Sequence, residues 1–293
     1  MGGDQVTGAS VLYDSPGPRA RLRNRIFAVL IVGAIVAMGA VVIWQFAAKG
    51  QLTAAKWRPF ATANLWSTYV LPGVAGTLTA AAVSIVLAVM LGLALGTGRM
   101  SEHRAVRWGC SVVVEFFRAV PVLIMMLFAY FLYALYDVFG SRQLALAGVI
   151  TGLALYNGAV IAEIVRSGVH ALPRGQQEAA WSLGLRWGQT MRSILLPQAV
   201  TSMLPVLVSQ MVVVLKDTAI GYQITFVEMV RQGTNIGATY GNYIPALMVI
   251  AVLMISLNIA LSALATRLEA RLRRSRRTPD PEQDQAVPAG QDV

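Results

Sequence analysis

Charged residues are scarce in this 293-residue chain, because Asp, Glu, Lys and Arg together make up only 13% of it. A soluble globular protein carries about 25%. Hydrophobic residues make up 56%, and six long windows contain no charged residue: Ile26–Ala48, Gly73–Gly98, Ala119–Tyr136, Gln143–Ala162, Ser193–Leu215 and Gln232–Thr266. A helix of about 20 mainly apolar residues can cross a bilayer. The sequence therefore predicts an all-α, polytopic membrane protein with about six transmembrane helices.

Residues that carry chemistry are also scarce. Cys110 is the only cysteine, which excludes an intrachain disulfide and a thiolate metal cluster. The two histidines, His103 and His170, are too few for a zinc site of their own. No segment matches the Walker A pattern G-x-x-x-x-G-K-[ST], which cradles nucleotide phosphates. We therefore expect a chain that binds no metal or cofactor and does not hydrolyse ATP by itself.

The uncharged windows place helices at roughly 26–47, 73–98, 113–136, 144–166, 198–216 and 244–267. Residues 1–25 carry four arginines ahead of the first window, as a secretory signal does. However, 26–48 is longer than the roughly 7–15 apolar residues of a signal peptide. We therefore predict a cytoplasmic segment at 1–25 and a retained transmembrane helix at 26–48. Residues 275–293 are rich in Pro, Gln and Asp, which predicts a disordered cytoplasmic tail.

The net charge of +10 is distributed unevenly around these helices. Seventeen of the 24 Lys and Arg residues fall on the side of the termini, six fall on the opposite side, and Arg118 lies within a helix. Because cytoplasmic loops carry the excess of cations, this bias predicts that both termini are cytoplasmic. The charge is therefore interpreted as a topology signal and not as a sign of nucleic-acid binding. For Arg271–Arg277 we favour a segment beside anionic lipid over a DNA-binding tail.

Two glycine pairs, Gly92 with Gly96 and Gly148 with Gly152, have the spacing G-x-x-x-G. Small residues at this spacing allow helix backbones to approach closely inside a membrane. Such pairs are common by chance in apolar helices. We interpret them as packing contacts and not as a functional site.

The segment 167–197, between the fourth and fifth predicted helices, is the most informative loop. Pro173 is well placed to begin a helix, and Gly184 is well placed to end it at a turn. A second amphipathic stretch then runs to Pro197. Two short helices of this kind would lie along the membrane surface and dock into a groove of a partner. The apolar side chains available for such contacts are Leu183, Leu185, Trp187 and Met191.

This loop resembles the EAA loop of ABC-importer permeases at every fixed position and spacing. The matching residues are Glu178, Ala179, Ala180, Gly184, Ile194, Leu196 and Pro197. Three further segments are similar to the permeases for polar amino acids: 116–121 to F-R-G-T-P, 156–164 to N-S-G-A-Y-x-A-E-I, and 215–220 to L-K-D-T-S-L. Ala119 and Val120 depart from the Gly and Thr of the first motif. The resemblance covers roughly residues 70–270, so helix 26–48 is an addition to a five-helix permease domain.

The resemblance implies the permease subunit of an ATP-driven importer for a polar amino acid in the plasma membrane. Such a subunit works with a second permease subunit, with two ATP-binding subunits that hold ATP and Mg, and with an extracytoplasmic solute-binding protein. The EAA loop transmits closure of the ATP-binding subunits into alternating access of the pore.

Each residue type in the EAA loop suits that role. Glu178 would offer a carboxylate for a charge-assisted hydrogen bond to a partner. Ala179 and Ala180 would permit close approach, and Gly184 would supply the turn. The alternative is a solvated loop with Glu178 on its wet face.

Polar residues within the predicted helices are candidates for the substrate path, because they are costly inside a membrane. The candidates are Arg118, Asn157, Glu163, Ser209, Gln210, Lys216 and Asp217. Arg118 follows Glu115 by three residues, which allows an ion pair on one helix face. Glu163 and Arg166 have the same spacing. Structural pairing is the favoured interpretation of both pairs, with a place in the path as the alternative.

The remaining candidates bear on the path and on the charge of its solute. For Asn157 we favour the substrate path over a bond between helices, and we interpret Lys216 with Asp217 as an external gate. A cationic solute would need an uncompensated carboxylate at mid-membrane, whereas this chain has Gln210 where permeases for basic amino acids can carry one. Arg118 and Lys216 favour an anionic or zwitterionic solute. The whole sequence is most similar to permeases of actinobacterial glutamate importers, which implies glutamate or a related acidic amino acid.

Two other classes of protein compete with this interpretation. A stand-alone secondary transporter or channel would account for the helices and the polar residues inside them, but not for the fixed spacing within 167–197. A membrane enzyme finds no support, since the chain has neither H-E-x-x-H nor G-x-S-x-G.

Overall fold

The structure is a computed structural model and describes residues 17–274. Contacts divide the chain into two units, residues 1–58 and residues 59–293. Within the described range every regular element is helical, which confirms the predicted fold class. The predicted disordered tail, 275–293, lies outside the described residues, as does most of the predicted N-terminal segment 1–25.

The first unit contains α1 (Pro18–Ala48) and the short α2 (Ala54–Trp57). With 31 residues, α1 is long and apolar enough to cross a membrane, which confirms the helix predicted at 26–47. The helix starts earlier than predicted, at Pro18. Proline suits a first helical position, because its φ is already helical and the N–H that it lacks would have no partner there.

The second unit contains α3 (Ala63–Leu65), α4 (Leu71–Gly98), α5 (Arg104–Ala119), α6 (Val122–Leu135), α7 (Ser141–His170), α8 (Arg174–Ser182), α9 (Trp187–Thr190), α10 (Leu196–Asp217), α11 (Met229–Tyr240) and α12 (Tyr243–Arg274). Four continuous helical segments here are long and apolar enough to cross a membrane: Ala63–Gly98, Ser141–His170, Trp187–Ile224 and Tyr243–Arg267. These confirm the helices predicted at 73–98, 144–166, 198–216 and 244–267.

The prediction of one continuous helix at 113–136 is wrong. The chain forms α5 and α6 there, and their axes differ by 101°. Pro121 explains the break, because it has no N–H to donate to the preceding turn and pushes Val120 into an extended conformation, with φ −83° and ψ 128°. Arg118 therefore lies at the end of α5 and not two turns inside a longer helix. The predicted total of six spans is reached only if α5 and α6 together form one of them.

The helix α11 is not predicted from the sequence. It has only 12 residues, and polar residues and glycines interrupt its apolar pattern. Its N-cap is Glu228, whose carboxylate accepts hydrogen bonds from the N–H groups of Val230 (2.7 Å) and Arg231 (2.6 Å). An acidic residue ahead of a short amphipathic stretch is the sequence signal that could have identified this helix.

Two π-helical turns lie within the long segments, and a proline follows each of them. Trp66–Val70 precedes Pro72, and Met191–Leu195 precedes Pro197. Because proline has no N–H, the carbonyl four residues before it loses its usual helical donor and the turn widens. The second π turn joins α9 to α10, so the end of the predicted EAA loop is continuous with a membrane-crossing helix.

At the centre of the second unit lies α7, which packs against α4, α5, α6 and α10. Twelve of its 30 residues are buried. Close packing against α4 depends on glycine, since a Cβ on Gly96 would lie 2.9 Å from the carbonyl oxygen of Ala162 and one on Gly92 would overlap Ile161. The predicted glycine pair of α7 has the same role towards α6. The interpretation of both pairs as packing contacts is confirmed.

Candidate functional site

The predicted EAA loop begins with α8, which ends at a glycine turn. Gly184 has a φ of +73°. Its N–H donates to the carbonyl of Trp181 (2.9 Å), and the N–H of Leu185 donates to the carbonyl of Ala180 (3.1 Å). This is the Schellman arrangement, in which a left-handed residue reverses the chain. Since a Cβ at Gly184 would meet no described atom within 4 Å, glycine is needed for the backbone conformation and not for space.

Only part of the surface of α8 is buried by contacts within the chain. Glu178 and Ala179 are exposed, while Ala180 is buried against the rest of the unit. Among residues 17–274 the Glu178 carboxylate has no hydrogen-bond or ion-pair partner. Trp181 and Leu183 are 52% and 79% exposed, although both are large and apolar. This combination suits a surface that a protein partner covers.

The other predicted EAA residues lie where α9 passes into α10. Ile194 is in the π turn, Leu196 and Pro197 begin α10, and all three are half-buried. The next residue, Gln198, donates from Nε2 to Oε1 of Gln176 over 3.3 Å. A hydrogen bond therefore links α8 directly to the first turn of α10.

Five charged side chains meet where α4, α5 and α7 end: Arg99, Glu115, Arg118, Glu163 and Arg166. We refer to them as the arginine–glutamate cluster. Arg99, the C-cap of α4, donates to Oε2 of Glu163 (2.6 Å) and to Oε1 of Glu115 (2.9 Å). Arg166 donates to Oε1 of Glu163 at 2.6 and 3.2 Å, which confirms that predicted pair. Arg99 lies just beyond the helix predicted at 73–98, and sequence reasoning missed that it joins three helices.

Within the cluster, Arg118 has the weakest contacts. Its Nη1 lies 3.8 Å from Glu115 and 3.6 Å from Glu163, beyond hydrogen-bond distance. The predicted pair with Glu115 is therefore a loose ion pair. Three arginines and two glutamates leave the cluster with one net positive charge, and Arg118, whose side chain is 40% exposed, has the least compensated cation.

Arg118, Glu163 and Glu115 line a cavity of about 590 Å³ between α5, α7 and α10. Tyr156 and Ser167 contribute further polar groups, and most of the remaining wall is apolar. A cavity of this size and character is typical of sites for small molecules. Two of the predicted path residues are therefore brought together here.

Asn157 and Gln210 form a second meeting point of predicted path residues. Gln210 Nε2 donates to Asn157 Oδ1 over 2.7 Å, and Asn157 Nδ2 donates to the carbonyl of Leu153 over 2.9 Å. Asn157 is fully buried, whereas Gln210 is half-buried. The structure thus gives Asn157 the bond between helices that sequence reasoning ranked second, and Gln210 is the accessible member of the pair.

The last three predicted path residues lie elsewhere on α10. Ser209 is exposed and donates to the carbonyl of Pro205 over 3.0 Å. Lys216 and Asp217 form the end of the helix, about 9 Å along its axis from Gln210. None of these three lines the cavity that contains Arg118.

Glu228 is a buried ionisable residue that sequence reasoning missed. It lies between the segments that could span a membrane, at the start of α11, and its side chain is fully buried. Burial raises the pKa of the Glu228 carboxyl to about 7, although the two N–H groups that it accepts from and the charge of Arg231 favour the ionised form. It therefore serves to cap a helix.

No metal centre is found within residues 17–274, where no three His, Cys, Asp or Glu side chains are grouped so that they could hold a metal ion. The described residues offer a ligand the guanidinium group of Arg118, the carboxylates of Glu115 and Glu163, amide and hydroxyl groups, and apolar walls.

Comparison with known proteins relates these features to a family. Residues 85–274 match the family described as the inner membrane component of binding-protein-dependent transport systems. The glutamate transport system permease protein GluD of Corynebacterium glutamicum is 55% identical over 228 residues, which cover 78% of this chain and 84% of that protein. The probable glutamine ABC transporter permease protein GlnP of Bacillus subtilis is 34% identical over 212 residues, which cover 71% and 94%.

A solved structure shares the fold. The crystal structure of an amino acid ABC transporter with histidines matches with a TM-score of 0.62 at 29% identity, over 69% of this chain and 92% of that one. The family match includes α5 to α12 and the second half of α4, and thus both the predicted EAA loop and the cavity. The chain therefore belongs to the family of inner membrane components of binding-protein-dependent transport systems, as a multi-pass permease subunit and not as the ATPase.

Proposed function

We propose that this permease subunit translocates glutamate into the cell, driven by ATP that partner subunits hydrolyse. The observation that carries the proposal is the 55% identity, over most of both chains, to a permease of a glutamate transport system. The guanidinium group of Arg118 gives further support, because it lines the cavity and is not hydrogen-bonded to Glu115 or Glu163, the two carboxylates that also line it. Glutamate has two carboxylates and one ammonium group, so it is a net anion at neutral pH.

Arg118 is the residue that we assign to the substrate carboxylate. Its guanidinium group lines the cavity, makes no hydrogen bond to the nearby glutamates, and belongs to a cluster with net positive charge. A guanidinium group binds a carboxylate through two parallel hydrogen bonds, which also fixes the orientation of the solute. Glu163 is held by Arg99 and Arg166 and therefore sets the position of the cluster.

The other predicted path residues have two further roles in this proposal. Gln210 contacts the solute with its half-buried amide, and Asn157 positions that amide through their hydrogen bond. Ser209 adds a hydroxyl group on the exposed side of α10. Lys216 and Asp217 form the external gate, at the end of α10 away from the EAA loop.

Uptake of labelled glutamate tests this assignment, in cells whose only copy of the protein is the wild type or a variant. We expect Arg118→Gln to raise KM for glutamate about tenfold, since one charge-assisted interaction is lost. Arg104→Gln is the matched control, because Arg104 is exposed on the same helix and does not line the cavity. Competition by arginine but not by unlabelled glutamate would overturn the proposed substrate, and an equal effect of both variants would overturn the role of Arg118.

We assign coupling to α8 and the turn that follows it. A partner ATPase would cover Ala179, Trp181 and Leu183, and it would supply a donor for the exposed carboxylate of Glu178. The hydrogen bond between Gln176 and Gln198 then transmits displacement of α8 to α10. Replacement of Glu178 by Lys is expected to leave the protein in the membrane but to abolish uptake. Uptake at the wild-type rate would contradict this role.

The proposed assembly contains a second permease subunit, two ATP-binding subunits that hold ATP and Mg, and an extracytoplasmic binding protein that delivers the solute. Both termini lie in the cytoplasm in this proposal. Support comes from the excess of cations on the side of the termini and from an even number of spans, with α5 and α6 counted as one. This topology places α8 on the cytoplasmic side, where an ATPase can reach it.

A further inference from the structure

A second cavity, of about 530 Å³, lies beside the EAA loop. Its ionisable lining is entirely basic: four arginines, Arg99, Arg107, Arg166 and Arg174, and one histidine, His170. In the described part of the chain no acidic side chain lines it, and Trp187 and Met191 are among its apolar residues. A cavity of this composition suits a ligand that combines concentrated negative charge with an apolar part.

Of the four arginines in this lining, Arg99 and Arg166 are compensated, because both are bound to the carboxylate of Glu163. The other two, Arg107 and Arg174, have no carboxylate partner among the described residues. Nη1 of Arg107 donates to the backbone carbonyl of Ser101 over 2.7 Å, and this carbonyl carries no net charge. The side chain of Arg174 makes no hydrogen bond or ion pair with any residue from 17 to 274. Arg107 and Arg174 therefore give the cavity two positive charges that are available to a ligand.

The cavity also lies at the level where membrane helices end. Arg99 caps α4, His170 is the last residue of α7, and Arg174 is the first residue of α8. Trp187 is half-buried in the lining, and Trp108, the neighbour of Arg107, is 72% exposed. Because tryptophan prefers the headgroup region of a membrane, these residues place the cavity at that depth.

We propose that this cavity binds a phosphate group, as presented by an anionic phospholipid headgroup or by a free phosphoester. Guanidinium groups match phosphate oxygens in geometry and bind them through charge-assisted hydrogen bonds. Basic pockets between transmembrane helices at the cytoplasmic surface hold anionic headgroups in this way. The inference rests on the proposed function in one respect, the topology that makes this surface cytoplasmic. Because Arg174 begins α8, the bound phosphate also fixes the position of the coupling helix.

Native mass spectrometry of the purified full chain tests the proposal, with phosphatidylglycerol and phosphatidylcholine added in turn at equal concentration. We expect the wild type to retain phosphatidylglycerol selectively. The variant R107Q/R174Q is expected to bind it at least about tenfold more weakly, since charge-assisted hydrogen bonds are lost. The matched control is R186Q/R192Q, which removes the same charge from exposed positions of the same loop that do not line the cavity. Melting temperatures of both variants verify that they fold.

Equal loss of phosphatidylglycerol in both variants would overturn the proposal, because the attraction would then be diffuse. Equal retention of the two lipids by the wild type would overturn it as well. A competition with inorganic phosphate identifies the source: displacement of the lipid at millimolar concentration supports a site for any phosphate group, and persistence of the lipid supports a headgroup site. None of these measurements depends on transport, so failure of glutamate uptake and failure of phosphate binding are distinguished.

Discussion

Replacement of Arg99 by Met tests the role of the arginine–glutamate cluster as a connection between helices. Arg99 is 9% exposed and Glu163 is 22% exposed, so the 2.6 Å hydrogen bond between them lies largely out of water, and we expect its loss to cost about 2 kcal/mol. The bond to Glu115 is worth about 0.5 kcal/mol, because that carboxylate is 60% exposed. Arg118 lies 3.6 Å from Glu163 and can move closer, which would recover about 0.5 kcal/mol. The expected net cost is therefore about 2 kcal/mol.

A cost of this size corresponds to a decrease in melting temperature of about 4 to 8 °C, which thermal unfolding of the purified chain in detergent would measure. Arg166→Met is the comparison, because Arg166 contacts the same carboxylate from one turn away on the same helix, with its side chain 35% exposed. It is expected to cost about 0.5 kcal/mol.

A second comparison uses the background Glu163→Gln, which removes the charge that both arginines bind. The two arginine substitutions should cost less there than in the wild type, because residues that share a partner are coupled. A decrease of less than 1 °C for Arg99→Met, with Arg166→Met costing as much or more, would refute the view that Arg99 holds the three helices together.

Three further predictions concern the EAA loop, the packing of α4 and the cap of α11. Gly184→Asp should leave membrane insertion intact and abolish uptake, because the turn requires a φ of +73°. The control Gly188→Asp adds the same charge to the same loop at a helical φ and should transport normally. Equal uptake by the two variants would contradict a role of the turn in transport. Gly96→Leu should destabilise the chain by about 1–3 kcal/mol in thermal unfolding, because a Cβ already lies 2.9 Å from a carbonyl of α7, and Gly109→Leu, in open space, should cost far less. Since burial raises the pKa of Glu228 to about 7 from 4.5, the stability due to its protonated form is complete below pH 4.5 and is lost as the pH rises through 7. Glu228→Gln should therefore reduce the difference in melting temperature between pH 5 and pH 8, and an unchanged difference would contradict this account.

Features that depend on short stretches of sequence could be predicted. The turn at Gly184 follows from a glycine at the end of a short amphipathic helix, and the structure shows the φ that only glycine adopts readily. The ion pair of Glu163 with Arg166 follows from a spacing of three on one helix. The length of the uncharged windows identified most of the membrane-crossing helices, because the thickness of the bilayer core sets a minimum length for each helix independently of the others.

The break at Pro121 shows why window length is insufficient. Residues 119–136 have no charge and are as long as one span, so hydropathy alone predicts one helix. The signal that was available is the proline itself, which prevents the backbone hydrogen bond of the preceding turn. A proline inside an uncharged window is not sufficient for a break, because Pro205 lies within α10 without ending it. At Pro121 the effect is large, since the axes of α5 and α6 differ by 101°.

Arg99 could not be assigned from the sequence, because its partners depend on tertiary packing. It lies 64 residues from Glu163 in the sequence, directly after an uncharged run, where an arginine usually extends to the membrane surface. Its contact with Glu163 exists because glycines bring α4 against α7. The hydrogen bond between Asn157 and Gln210 likewise needs the register of α7 and α10, and no local spacing encodes that register.

The two candidate sites are joined by α7. Its last residue, His170, is followed within four residues by the first residue of α8, and Glu163 lies two turns before that end. Because α7 is one continuous helix, a partner that displaces α8 also pulls on the end of α7 and on the cluster attached to it. Glu163 is bound to Arg99 of α4 and lines the cavity beside Arg118 of α5. We therefore propose a second route beside the one through Gln176 and Gln198: movement at the EAA loop reaches Glu163 through α7 and changes its distance from Arg118, now 3.6 Å, which determines how freely Arg118 can bind a carboxylate.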